Sequence, residues 1–378
     1  MPVTQRDEVK RRKTSDSLDL RGKALDSKSA EQLAVMIPQD RRASLKSLDL
    51  SNSSIRDAAA ASLAAVLMQC TSLESLHLRG NMIGAKGAGA LAAVLEQCAS
   101  LAHLDLRDNM IGDEGAGKLA AVLGQCASLA HLDLGDNRIG PEGAGELAAV
   151  LGKCNSLDHL DLRGNWIGDE GAGKLAAVLG QCNSLAHLDL RGNKIEDEGA
   201  GTLAAGLSQC ASLAHLYLGE NLIGHKGAKQ LAGVLGQCAS LAHLDLSDNI
   251  ISNPGAGSLA KVIPGASLKH LDLSANLIGD TGAGSLAKVI QGASLTHLDL
   301  ARNRIGDKGA GSLAEVLQGA SLKHLDLSAN LIGDTGAGSL AKVIQDASLT
   351  HLDLARNRIG DKGAGSFAAV GATHKICL

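Results

Sequence analysis

Ten histidines recur at near-constant spacing: His103, His131, His159, His187, His215, His243, His270, His297, His324 and His351. Two residues beyond nearly every one stands an aspartate: Asp105, Asp133, Asp161, Asp189, Asp245, Asp272, Asp299, Asp326 and Asp353. Tyr217 takes the aspartate position once, and His77 takes it in an earlier copy. Neighbouring His and Asp side chains can relay a proton, ligate a divalent metal or present a titrating charged surface. A relay needs a nucleophile placed against it, and no serine or cysteine shares this face in the pattern. Metal ligands must converge, whereas two parallel rows do not close around one ion. Two readings rank ahead of metal. In one, ionised aspartates offset histidine charge and accept ring N–H groups in a solvated stripe. In the other, the rows form a recognition surface for a basic or periodic partner. The expectation is therefore no catalytic residue, no metal and no cofactor, and no GxxxxGK[ST] phosphate loop occurs.

These rows are set by one recurring stretch, Leu101–Ser128, LAHLDLRDNMIGDEGAGKLAAVLGQCAS. It returns at Leu129, Leu157, Leu185, Leu213 and Leu241. Counted from its first leucine, leucines fall at positions 1, 4 and 6, asparagine at 9 and isoleucine at 11. HLDLR alternates outward and inward, the period of a short half-buried strand, so His and Asp point away from the core. Gly115, Leu119 and Leu123 are four apart, with Ala116, Ala120 and Val122 beside them, giving one apolar helical face. Asp113 stands where an N-cap belongs and Gly124 where the helix should end. One strand and one helix cannot close a core, but stacked copies can.

The pattern LxxLxLxxN followed by a helix resembles the leucine-rich repeat. The 28-residue unit with GxxxLxxxL is similar to the ribonuclease-inhibitor subtype, which also occurs in NOD-like receptors and in the Ran GTPase-activating protein. The resemblance spans Ser17 to Val370. It implies an α/β fold, a leucine-rich repeat solenoid, curved, with a parallel β-sheet on the concave face and helices on the convex face. Strands stack at ~4.8 Å and helices at ~8–10 Å, so the array should bend into an open arc. Ran-type activators carry an acidic C-terminal tail, and this chain ends THKICL.

Residues 1–16 read as a polar basic tail, disordered, with the run Lys10-Arg11-Arg12-Lys13. Thr14, Ser15 and Ser44 (in Arg41-Arg42-Ala43-Ser44) fit a basophilic kinase preference, a motif of low specificity. Residues 17–370 read as a solenoid of about thirteen units, thirteen strands from Leu18 to Leu352 in one sheet, and 371–378 as a short C-terminal tail. The first two units are degenerate, as a terminal repeat facing solvent should be. From Leu241 the unit shortens to 27 residues, and GQCAS becomes PGAS or QGAS. Ser267–Ser312 and Ser321–Ser366 then match except at Gly292 and Asp346, the mark of a duplicated pair or of design. Near the end Phe367 replaces leucine and Gly371 interrupts the helix. A bare last repeat would expose apolar surface and a strand edge, so the tail folds over it, a partner covers it, or the chain is truncated.

Seven cysteines, Cys70 to Cys238, repeat every 28 residues and so share one position after the helix. Such a row offers neither facing pairs nor converging ligands, and Cys126, Cys154 and Cys182 are expected as buried, unreactive thiols. With no cysteine in residues 1–16 and no apolar signal segment, the reading is intracellular and cytoplasmic. The formal charge of −4 is of mixed sign and gives no mandate for nucleic acid or membrane insertion.

Diversity concentrates just after the asparagine, at Met82, Met110, Arg138, Trp166, Lys194, Leu222, Ile250, Leu277 and Arg304. Trp166 and Tyr217 are the chain's single Trp and Tyr and fall two repeats apart, ~10 Å by strand spacing. With Arg163, Arg191, Lys194, Glu220 and Leu222 they form the candidate partner-binding patch, because Trp, Tyr and Arg dominate interface hot spots. His159, His187, His215, Asp161 and Asp189 belong to it from the ladders. Neutral drift in single copies accounts for the same diversity. The sequence therefore reads as a non-enzymatic scaffold or structural subunit, alone or in a larger assembly, binding a protein through the concave face or one loop rim. The alternatives are an enzyme regulator, either inhibitor or Ran-type activator, and an innate-immune-type sensor repeat.

Overall fold

The computed structural model describes residues 16–25, 32, 35–95, 97–368 and 374–378. The basic run at 10–13, Thr14, Ser15 and Gly371 lie outside them. The chain forms two compact units, Met1–Asp189 and Leu190–Leu378.

Among the described residues, the first unit holds seven three-residue strands. These are β1 (Ser17–Asp19), β2 (Ser47–Asp49), β3 (Ser75–His77), β4 (His103–Asp105), β5 (His131–Asp133), β6 (His159–Asp161) and β7 (His187–Asp189). They pair in chain order, all parallel, and each histidine faces its counterpart: His103 with His131, His131 with His159, His159 with His187. The middle leucine of each HLD, such as Leu132 and Leu160, is fully buried. Strand and helix alternate, and the helices Gly112–Leu123 and Pro141–Leu151 bury the expected Gly, Ala and Leu face.

The second unit repeats this with β8 (His215–Tyr217), β9 (His243–Asp245), β10 (His270–Asp272), β11 (His297–Asp299), β12 (His324–Asp326), β13 (His351–Asp353) and β14 (Lys375–Cys377). All are parallel and in register. β14 lies past Leu352, where the leucine pattern stops, and pairs Lys375 with His351 and Cys377 with Asp353. Among the described residues, the edge of β13 is therefore paired rather than open.

Asparagine locks each repeat to the one before it. Asn165 Oδ1 accepts the amides of Asn137 (3.0 Å) and Ile139 (2.9 Å), while Nδ2 donates to the carbonyls of Leu134, Leu162 and Arg163. The side chain is buried, and all four of its hydrogen-bonding sites act on backbone that would otherwise be unpaired. In the second unit Asn303 Oδ1 accepts the Ile278 amide (2.9 Å), and its Nδ2 donates to the carbonyls of Leu273, Leu300 and Ala301.

The aspartate at the helix start differs from its expected role. Asp113 lies inside Gly112–Leu123, whose N-cap is Ile111. Its Oδ1 instead accepts the amides of Gly140 (2.7 Å) and Gly143 (2.8 Å), at the start of the next repeat's helix. It therefore satisfies the open donors of its neighbour and places a negative charge at that helix's positive end. Asp197, Asp280, Asp307 and Asp334 do the same in the second unit. Gly143 is required by this contact, because a Cβ there would stand 2.6 Å from Asp113 Oδ1 and 2.9 Å from its Cα.

The cysteine row is more varied than expected. Cys70, Cys98, Cys182, Cys210 and Cys238 are buried, whereas Cys126 and Cys154 are half-exposed. The thiols of Cys70, Cys126, Cys154, Cys182 and Cys238 donate to the carbonyl four residues back; Cys154 Sγ approaches the Val150 carbonyl at 3.4 Å and that of Leu123 at 3.6 Å. Burial pushes the Cys70 thiol up to about 11, and also raises Cys98, Cys154 and Cys238.

Candidate interaction face

The pleat of the strands aims His and Asp to one side of the sheet in each unit, as the alternation requires. Their environments differ. The histidine rings are exposed or half-buried and stack along the ladder: His103–His131 at 4.4 Å, His131–His159 at 5.3 Å and His159–His187 at 5.3 Å between centroids. In the second unit the sequence is His215–His243 at 5.6 Å, His243–His270 at 5.3 Å, then 3.9, 4.1 and 4.3 Å as far as His351. Burial and neighbouring histidines lower the pKa of His103, His159, His243 and His324, and hold His297 at about 4.

The aspartates sit deeper and do not form the solvated stripe expected. Asp161, Asp189 and Asp245 are buried. Most accept the backbone amide two residues on rather than a ring N–H: Asp133 from Gly135 (2.9 Å), Asp161 from Arg163 (2.9 Å), Asp299 from Ala301 (2.8 Å). Nor are they uniformly ionised. Burial, then the carboxylate one strand away, pushes Asp133 and Asp299 up to about 7 and raises Asp161 and Asp272. A carboxylate ladder without a cation in every gap must hold some of its protons. His77 shifts the other way: its side-chain bond to Asp105 raises it.

Within the first unit, His159, Asp161, Arg163, Trp166, His187 and Asp189 fall on neighbouring repeats. The Arg163 guanidinium pairs with Asp161 and lies 3.9 Å from Asp189, so this arginine is committed to the aspartate ladder more than to the surface. Trp166 is 54% exposed on the turn leaving β6. Within the second unit, Tyr217 packs between His215 (6.4 Å) and His243 (5.0 Å), with Arg191 over its ring at 5.1 Å. Lys194 and Glu220 are exposed and take left-handed backbone at φ 59° and 56°. Leu222 (46% exposed) and Ile250 (50%) follow on the same turn of successive repeats, with half-exposed Leu277 next.

Two hollows on the second unit's strand face were not foreseen. One, of about 220 Å³, is lined by His243, His270, Asp272, His297, Asp299 and His324 among others. The other, of about 250 Å³, lies between β12, β13 and β14 and includes Lys375 and Cys377. The first could have been suspected where alanine before histidine gives way to Lys269, Thr296, Lys323 and Thr350. Nothing in the repeat pattern marks β14. Among the described residues no three His, Cys, Asp or Glu side chains converge as a metal cluster, and no helix is long and apolar enough to cross a membrane.

The family described as Leucine Rich repeat matches ten segments: 69–92, 97–120, 125–148, 153–176, 181–204, 237–260, 266–287, 293–314, 320–341 and 345–368. No curated protein matches the chain. Among solved structures, the chain is similar to the internalin inlF from Listeria monocytogenes, with a TM-score of 0.60 and 19% identity over 100% of this chain and 89% of that one. It is also similar to a leucine-rich repeat protein of Leptospira interrogans, with a TM-score of 0.51 and 21% identity over 96% and 90% of the two chains. Identities this low show a shared fold.

Proposed function

Because this chain belongs to the leucine-rich repeat family, we propose that it is a non-enzymatic scaffold whose strand face or adjoining loop rim binds a protein partner. The observation that carries this reading is the division of labour between the positions of one repeat. Leucine and asparagine are spent on the core and the locks, His and Asp form regular rows, and the turn after the asparagine varies freely while staying exposed or half-exposed. Variable exposed side chains on a rigid frame are how recognition surfaces are built. In the first unit the anchor is Trp166; in the second it is Tyr217 under Arg191, with Leu222 and Ile250 beside it. The 28-residue strand–helix unit supports the ribonuclease-inhibitor subtype within the family. Cysteines such as Cys70 and Cys238, outside any disulfide, support a reducing, cytoplasmic setting.

Cross-linked pull-down with mass spectrometry tests the proposal, comparing wild type with Trp166→Ala, Tyr217→Ala and the helix-face control Lys229→Ala. The expected result is one set of cross-linked partners lost with Trp166→Ala or Tyr217→Ala and kept with Lys229→Ala. Partners lost only with the helix-face variant would overturn it.

A further inference from the structure

Exposed arginines gather along the rim of the second unit. Arg302 and Arg304 follow β11, Arg356 and Arg358 follow β13, and all four are exposed. Each pair flanks a locking asparagine, Asn303 or Asn357, whose amide donates to the carbonyl of Leu273 or Leu327 in the preceding repeat. The turns are laddered as the strands are. The Arg302 amide donates to the Ser328 carbonyl and the Ala329 amide to that of Ala355, both at 2.8 Å. The two arginine pairs therefore stand two rungs apart, about 10 Å by strand spacing. On the rung between them Leu331 is 40% exposed.

Two observations set these arginines apart from the needs of the fold. Arg302 and Arg356 hold left-handed backbone, at φ 53° and 61°, which disfavours a long side chain. Other repeats place Gly80, Asp108, Asp136, Gly164 or Gly192 there, residues that tolerate it better. Secondly, among the described residues none of the four guanidinium groups is paired with a carboxylate, whereas Arg107 and Arg163 pair with Asp136 and Asp161. The nearby carboxylates are engaged with backbone. Asp299 and Asp353 accept the amides of Ala301 and Ala355, both at 2.8 Å. Asp280, Asp307 and Asp334 accept the first amides of the following helix. The exposed Asp361 opposes the arginines with one charge against four. Strained side chains that bond nothing within the chain are placed for a complex.

A guanidinium fork takes carboxylate or phosphate oxygens two at a time. Single-stranded nucleic acid wants an aromatic platform beside such charges, and Phe367, the one aromatic past Tyr217 other than histidine, is buried. Leucine between the pairs suits a partner that alternates acidic and apolar side chains. In a polyproline-type segment, residues three apart share a side at about 9 Å, close to the separation of the arginine pairs. We propose that this rim binds an extended acidic protein segment, with carboxylates three residues apart on the two arginine pairs and an apolar side chain on Leu331. These turns are other than those of Trp166 and Tyr217, so the surface stands independently of those anchors.

Fluorescence polarisation of the full chain with a labelled peptide of Glu-Pro-Leu triplets, at low salt, tests this. Arg302→Gln/Arg304→Gln and Arg356→Gln/Arg358→Gln should each weaken binding about fivefold, and all four changes together about twentyfold. Leu331→Ser should weaken it about threefold. Arg138→Gln, which removes an exposed arginine from the first unit's rim, and Tyr217→Ala should leave it unchanged. Circular dichroism checks that each variant is folded. Unchanged binding in the four-arginine variant, an equal loss in Arg138→Gln, or equal binding of a Gln-Pro-Leu peptide would overturn the proposal. So would tighter binding of an oligothymidylate, which would make the rim a nucleic-acid surface, or peptide binding at millimolar concentration only.

Discussion

The turn at 236–240 and the turn at 264–267 connect helix to strand in adjoining repeats of the second unit, yet one is a residue shorter. In the longer, Cys238 fills the space after the helix, its thiol 3.4 Å from the Val234 carbonyl and 3.6 Å from Leu207. In the shorter, the methyl of Ala266 occupies the corresponding buried place, three residues past the helix's last core side chain. The strands on either side do not register the change: His243 still faces His270, and Leu244 faces Leu271. Register is thus held by the leucine and asparagine positions, and length is absorbed where the helix returns to the sheet. The sheet face nonetheless differs between the two repeat types, because the residue before histidine changes from Ala242 to Lys269, Thr296, Lys323 and Thr350.

The asparagine lock should be indifferent to repeat type. Asn165→Ala strips two amides and three carbonyls of their buried partner, Asn303→Ala one amide and three carbonyls, and each should lower stability by about 3 kcal/mol in urea unfolding. A loss confined to one repeat type would mean that the two kinds of unit are held differently. Next in size is the helix contact. Gly143→Ala and Gly309→Ala drive a methyl against the capping carboxylate of the preceding repeat, at 2.6 and 2.8 Å, and should each cost about 2 kcal/mol.

The aspartate ladder gives a smaller effect with a defined sign. Asp299 has a folded pKa of about 7, above its ordinary value, so the folded state holds the proton that the unfolded chain releases. That contribution is full below about pH 4 and is lost as pH rises toward 7. His297, lowered to about 4, works in the opposite direction between pH 4 and 6.5. Asp299→Asn should therefore stabilise the protein by about 1–2 kcal/mol at pH 8 and leave it unchanged at pH 4, as read from melts across this range. A gain at pH 4 as large as at pH 8 would refute the raised Asp299 pKa as its cause.

The smallest effect separates the two turns. Cys238→Ala reproduces the side chain that the shorter repeat already uses and should cost under about 1 kcal/mol. Native thiol labelling should be slow at Cys70, whose pKa stands at about 11, and faster at the half-exposed Cys126 and Cys154.

Much of this could be read in advance. Leucine spacing fixed the strands, the Gly-Ala-Leu face fixed the helices, and His103 and its copies were correctly placed on the outward face of the sheet. The failures have a common cause. Asp113 was assigned to its own helix because sequence distance was taken as the guide, whereas its partner lies 27 residues on, one repeat away in space. Along the strand each aspartate has a histidine beside it and reads as ionised, while its closer company is other carboxylates across strands. Lys375–Cys377 lacks the leucine signature and joins the sheet as a parallel strand beside β13. The partner-binding patch was read from residue types, which name candidates but not occupants.

The borrowed cap has a consequence for synthesis. A chain emerges from the ribosome N-terminus first, and domains tend to fold in that order. When the helix at Pro141–Leu151 emerges, Asp113, the acceptor for its first amides, is already outside and in place. The asparagine lock runs the other way: the amide of Ile139 must wait for Asn165. Each nascent repeat can thus dock its helix at once, but holds an unfinished turn until its successor arrives, so the growing end is always one residue type short of closure.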